Sequence, residues 1–152
     1  MAIVALFSKH KRNYMLIWIA VLVGFGIYCI YDGYYNQNFI DKHTNDDGSA
    51  DSTLAFNQKT PYVLIPLGAI LAAYLLMIKG RKVTAGDSEL VINDKNKIPY
   101  EKIEQIDKTD FESKGRFTIT YSGEGVKSTV TLSDRDYDNL GPVLDYLVEK
   151  IS

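Results

Sequence analysis

Two stretches of 18 residues, 14–31 and 61–78, contain no Asp, Glu, Lys, Arg or His. As helices rising about 1.5 Å per residue they would be roughly 27 Å long, close to the ~30 Å hydrocarbon core of a bilayer. A helix in the core of a soluble domain rarely stays uncharged for five turns, because its outer face meets water. The sequence therefore predicts two transmembrane helices.

Charge fixes the expected orientation. Lys9, Lys11 and Arg12 precede the first run without an acidic residue, and Lys79, Arg81 and Lys82 follow the second. The intervening residues 32–60 carry Asp32, Asp41, Asp46, Asp47 and Asp51 against Lys42 and Lys59, a net charge of −3. Positive flanks stay inside, so both termini are expected in the cytoplasm and the acidic loop outside. Aromatic residues agree: Tyr14 and Trp18 lie near the inner end of the first run, and Tyr28, Tyr31, Tyr34 and Tyr35 crowd its outer end. Amphipathic rings prefer the headgroup zone. The expected division is a basic N-terminal flank (1–13), a first span (14–31), a polar extracytoplasmic loop (32–60), a second span (61–78) and a cytoplasmic domain (79–152).

The first run is too long for the apolar region of a cleaved secretory signal and ends in tyrosines rather than a small-x-small site, so it is expected to stay attached. Cys29 is the single cysteine. It excludes an intrachain disulfide and reads as a small apolar side chain in a helix.

Helices in lipid associate through close packing at small residues. Ala20 and Gly24 are one turn apart in the first run; Gly68 with Ala72, and Ala69 with Ala73, repeat the spacing in the second. These six are the candidate packing residues, toward each other's helix or toward a partner. Bulkier positions (Ile17, Val21 and Ile27; Leu64, Leu71 and Leu75) read as ordinary lipid or helix contacts. With no charge inside either run, an ion path carried by this chain alone is not expected.

The outer loop contains Asn45-Asp46-Asp47-Gly48-Ser49. Aligned as a calcium loop with Gly48 at position six, it would begin at His43 and end at Leu54, where Asp and a bidentate Glu are required. A solvated, turn-rich loop accounts for it better.

After Arg81 the pattern alternates. Residues 89–93 read as a strand, Asp94-Lys95-Asn96 as a hairpin turn, and residues 97–99 as the return. Ile103 and Ile106 suggest a further strand. Residues 117–121 alternate strictly, and so do 126–132, joined by Ser122-Gly123-Glu124-Gly125. Asp134, Asp136 and Asp138 then read as caps of a helix whose first turn suits Pro142 and whose apolar stripe is Val143, Leu144, Leu147, Val148 and Ile151.

This strand run closed by one helix, with Ile98-Pro99-Tyr100-Glu101-Lys102-Ile103-Glu104-Gln105-Ile106 after the first hairpin, resembles bacterial pleckstrin-homology-like (PH-like) modules that sit beneath paired membrane spans. The resemblance covers residues 83–151 and implies a small antiparallel sheet or half-barrel capped by the C-terminal helix. At about 70 residues it is shorter than a complete domain of that kind, so strands would be missing or the barrel open. It carries over no ligand residue. The expected fold class is thus membrane α plus α+β.

Residues 87–152 hold 14 acidic against nine basic residues, a net −5. A module gripping anionic lipid or nucleic acid needs a basic patch, so protein contact is expected instead. His10 and His43 fall on opposite sides of the expected membrane, and no nucleophile elbow, phosphate loop or Cys/His metal set occurs. The sequence therefore points to a non-enzymatic protein without cofactor or metal. Its expected role is a small accessory subunit of a larger membrane complex, in the bacterial cytoplasmic membrane. The alternative is a free-standing tethered module that recruits a cytoplasmic protein partner.

Overall fold

The computed structural model describes all 152 residues, which form two compact units. Met1–Arg12 and Met77–Ser152 make one, and Asn13–Leu76 the other.

The first unit is built from seven strands and a C-terminal helix. The strands are β1 (Ile3–Leu6), β2 (Lys82–Ala85), β3 (Glu89–Ile92), β4 (Asn96–Pro99), β5 (Ile103–Asp107), β6 (Arg116–Gly123) and β7 (Val126–Ser133). They pair antiparallel in sequence order as a four-stranded sheet, β1-β2-β3-β4, and a three-stranded sheet, β5-β6-β7. Register follows from apolar alternation, because residues directly opposite in an antiparallel pair share a face. Ala5 lies opposite Val83, Val83 opposite Ile92, Leu90 opposite Ile98 and Phe117 opposite Leu132. All of these are buried.

Two tight hairpins fix that register. Asn93 and Asp94 have φ of 56° and 58°, and Glu124 and Gly125 have φ of 49° and 80°. Two consecutive left-handed residues form the turn whose twist matches paired strands. The first turn thus falls one residue earlier than Asp94-Lys95-Asn96, since Asn93 tolerates positive φ and Lys95 N donates to Ile92 O at 3.2 Å. A short helix, α5 (Phe111–Lys114), ends on Gly115 at φ 63°. A Cβ there would collide with the Asp134 carboxylate.

The C-terminal helix, α6 (Leu140–Ile151), buries Leu140, Val143, Leu144 and Leu147 in the core shared with both sheets. Val148 is half-buried and Ile151 is 36% exposed, so the stripe fades in the last turn. The aspartates before α6 do not cap it: its N-cap is Asn139, which makes no side-chain cap bond. Asp138 Oδ2 instead accepts from Lys9 N at 3.0 Å, at the start of α1 (Lys9–Ile30). Asp136 pairs with Lys11. Lys9, Lys11 and Arg12 at a helix N-terminus oppose the macrodipole, and these distant carboxylates offset them.

The N-terminal flank was expected only as a basic segment of residues 1–13; it contributes β1 to this sheet. Four consecutive apolar residues carry no alternation, so nothing local marks them as a strand.

The second unit contains the rest of α1, a π-helical turn Tyr31–Tyr35, the short helices α2 (Gln37–Lys42) and α3 (Ser52–Lys59), and most of α4 (Pro61–Ile78). The segment expected as a turn-rich loop is therefore largely helical. Asn36 caps α2 by accepting from Phe39 N, and Asp51 caps α3 by accepting from Leu54 N at 2.8 Å. Asp51 also meets His43 Nδ1 at 2.8 Å. The bond from Leu54 N, then the one to His43, holds the Asp51 carboxyl below the usual carboxylate range. Thr60 stays helical between α3 and α4, and Pro61 takes the first position of α4, where an N–H is not needed. Lys9–Tyr35 and Ser52–Ile78 are thus two helical stretches of 27 residues each, and each contains an apolar window of 18 residues.

Candidate functional site

The residues that carry chemistry in the helical unit are small, aromatic or apolar. Their arrangement separates inward from outward faces. A Cβ on Gly68 would come within 2.8 Å of Val23 Cγ2, and a Cβ on Gly26 within 2.8 Å of Ile65 Cγ1. The two glycines, one from each helix, let α1 and α4 approach closely. Gly68 is therefore a contact within the chain. Nothing lies within 4 Å of a Cβ built on Gly24, and Ala20, Ala69 and Ala73 are exposed with it; Ala72 is half-buried. Of the six candidates, the structure turns one toward the chain's own helix and four outward.

Gly26 was not among the expected packing residues. Its one-turn partner would have been Leu22 or Ile30, so small-residue spacing within one helix does not reveal it; the pairing across helices does.

At the end of the unit formed by the π turn, Ile30, Tyr34, Tyr35, Pro61, Tyr62, Ile65 and Pro66 line a cavity of 490 Å³. Tyr34 donates its hydroxyl to Gln58 O at 3.1 Å, and Gln58 Nε2 donates to Gly33 O at 3.1 Å. Gly33 permits this approach, since a Cβ would stand 3.1 Å from the Asn57 carbonyl carbon. Asp32, expected in a solvated loop, is only 4% exposed, with Oδ1 accepting from Asn36 Nδ2 at 2.9 Å. The wider π turn rotates it off the exposed face, a feature without local sequence signal. Pro66 lies inside α4 and has no N–H to give to the carbonyl of Tyr62 four residues earlier.

In the sheet unit, several surface charges are paired. Glu104 binds Lys127 at 2.7 Å and Ser122, and these bonds, Lys127 first, hold its carboxyl below the usual carboxylate range. Asp110 holds Arg116 at 2.9 Å and Lys114 at 3.1 Å. Tyr100 donates to Gly86 O at 2.6 Å, and burial first, then nearby Tyr146 and carboxylates, push its phenol up to about 12. A cleft of 470 Å³ between α5 and α6 is lined by Lys108, Thr109, Phe111, Glu112, Leu144 and Asp145. No group of three or more His, Cys, Asp or Glu side chains is placed to hold a metal.

No protein family, no curated protein and no solved structure matches this chain.

The two glycine positions make opposite predictions. Gly68→Leu forces a branched side chain into Val23 and should destabilise the α1–α4 pair by about 1–3 kcal/mol, the usual cost of overpacking. Gly24→Leu meets open space and should leave the pair intact. Thermal unfolding of the full chain in a mild detergent reads the difference; equal losses would mean that Gly24 also faces α4.

Proposed function

We propose that the chain is a non-enzymatic two-pass membrane protein, an accessory subunit whose helices pack on a larger membrane complex and whose PH-like cytoplasmic module contacts the same assembly. One observation carries the membrane reading. The most apolar windows of the two 27-residue stretches are only 17% and 22% buried. A core helix of a soluble domain would be mostly buried; here Ile17, Ile70 and Met77 are 62%, 66% and 81% exposed. So much exposed apolar surface on two bilayer-length helices suits lipid or other helices as its solvent.

The strand count supports the PH-like reading. Residues 83–151 alone are short for a complete module, and β1 supplies a further strand from before the first long helix. An antiparallel strand run closed by one C-terminal helix is the layout that reading calls for. Partner contact rests on Ala20, Gly24, Ala69 and Ala73, which the chain's own helix pair leaves uncovered.

Topology is tested by cysteine labelling in a Cys29→Ser background. Ser49→Cys should react with an impermeant thiol reagent in intact cells, and Ser113→Cys only after permeabilisation; both residues are exposed in the structure. The reverse pattern would invert the orientation. Mild solubilisation of native membranes then reads the role. Migration in a large complex that Gly24→Leu weakens supports the subunit reading. A lone, unchanged monomer would favour the tethered recruitment module.

A further inference from the structure

The sheet module is interrupted, between its first and second strands, by everything in the chain that is apolar enough to cross a membrane. β1 pairs with β2 from Ile3↔Ala85 to Leu6↔Lys82. Phe7 N then donates to Arg81 O at 2.9 Å, so the chain leaves the sheet and returns to it at adjacent backbone positions. The other edge of the same segment is also held: Ser8 N donates to Asp136 O and Asp138 N to Leu6 O, each at 2.8 Å, and Phe7 bridges Tyr137. Ala5, facing Val83, is completely buried. Residues 3–8 therefore form a strap that ties β2 to the segment following β7, and the core is open along that line without it.

We infer that, once the first long helix has crossed a membrane, completion of the module is conditional on the second crossing. Antiparallel neighbours must lie on one side of a membrane, so once α1 has crossed, β1 can meet β2 only if α4 crosses back. A chain whose second helix fails to cross leaves β1 and β2 on opposite sides, with Val83, Ala85 and the rest of the core edge uncovered. The module then stays open, however sound its own sequence. The fold thereby checks the membrane topology of the segment that it encloses. This inference rests on the two-pass reading.

The test uses the full chain in membranes. Readouts are protease resistance of residues 82–152 and amide exchange in β2 and β3. Ile70→Arg with Leu71→Arg puts two charges in the middle of α4, blocking the second crossing while leaving every residue of the module unchanged. Ala5→Asp breaks the strap directly, and Leu6→Asp, at a position 58% exposed, is its control. The double Arg chain and Ala5→Asp should both lose protease resistance, with exchange about tenfold faster or more at Val83 and Ile92; Leu6→Asp should resemble the unsubstituted chain. If residues 82–152 stay resistant in the double Arg chain or in Ala5→Asp, the inference is overturned. Failure of the underlying reading has a separate signature: alkaline carbonate would then release the unsubstituted chain from the membrane.

Discussion

Leu147→Asp should abolish the folded sheet module. Leu147 is fully buried on α6, among a core that includes Val83 of β2, Phe117 of β6 and its neighbour on the same helix, Val143. No cation lies in that cluster to pair with the new carboxylate. An unpaired charge in such a site costs several kcal/mol, or forces protonation or rearrangement. Domain stabilities are typically only about 5–15 kcal/mol, so the module is expected to open. Loss of near-ultraviolet ellipticity and of protease resistance would report it. Ile151→Asp, one turn further on where the stripe reaches solvent, should change little. A Leu147→Asp chain that kept native tertiary signals would show that α6 does not pack as described.

Phe117→Ala should be the most damaging truncation in the sheets. Phe117 is 1% exposed, lies opposite Leu132, and meets Phe111 edge to face with ring centroids 5.8 Å apart. Removing the ring forfeits transfer energy and leaves a cavity that two strands cannot collapse into, together about 3–5 kcal/mol. For a unit of this size that corresponds to a fall in melting temperature of roughly 15 °C or more. Phe111→Ala, at a half-buried position, should cost less. Thermal melts of the two variants, followed by the same tertiary signal, give the comparison. A smaller loss at Phe117 than at Phe111 would contradict the packing order.

Much of the module was legible because its signals are local. Residues 117–121 alternate strictly, Glu124-Gly125 can adopt positive φ, and Val143, Leu144 and Leu147 recur at helical spacing. Each of these is a property of neighbouring residues. The features that escaped depend on residues far away. Ile3–Leu6 is a strand only because Lys82–Ala85 offers an edge to it. Asp138 reads as the cap of the helix that follows, yet the amide it satisfies belongs to Lys9, brought beside it by the same strand. In the helical unit, spacing could nominate small residues but could not rotate the helix. Gly24 and Gly26 are both glycines in one turn, and only the position of α4 makes one a contact and the other open surface. Asp32 was placed in solvent because a regular helix was assumed to end before it; the π turn carries it inward.

Pro66 gives α4 a point of mechanical weakness at a chosen depth. Its missing N–H removes one rung from the helix ladder, so the segment Pro61–Ile65 is joined to the remainder by one hydrogen bond fewer. Bending there would move Tyr62 and Pro61 relative to Tyr34 and Tyr35, changing the width of the 490 Å³ cavity between them. The Gly68–Val23 contact lies on the far side of the proline and need not move. A bend at Pro66 would therefore alter the mouth of the helix pair while leaving the Gly68–Val23 contact in its middle in place.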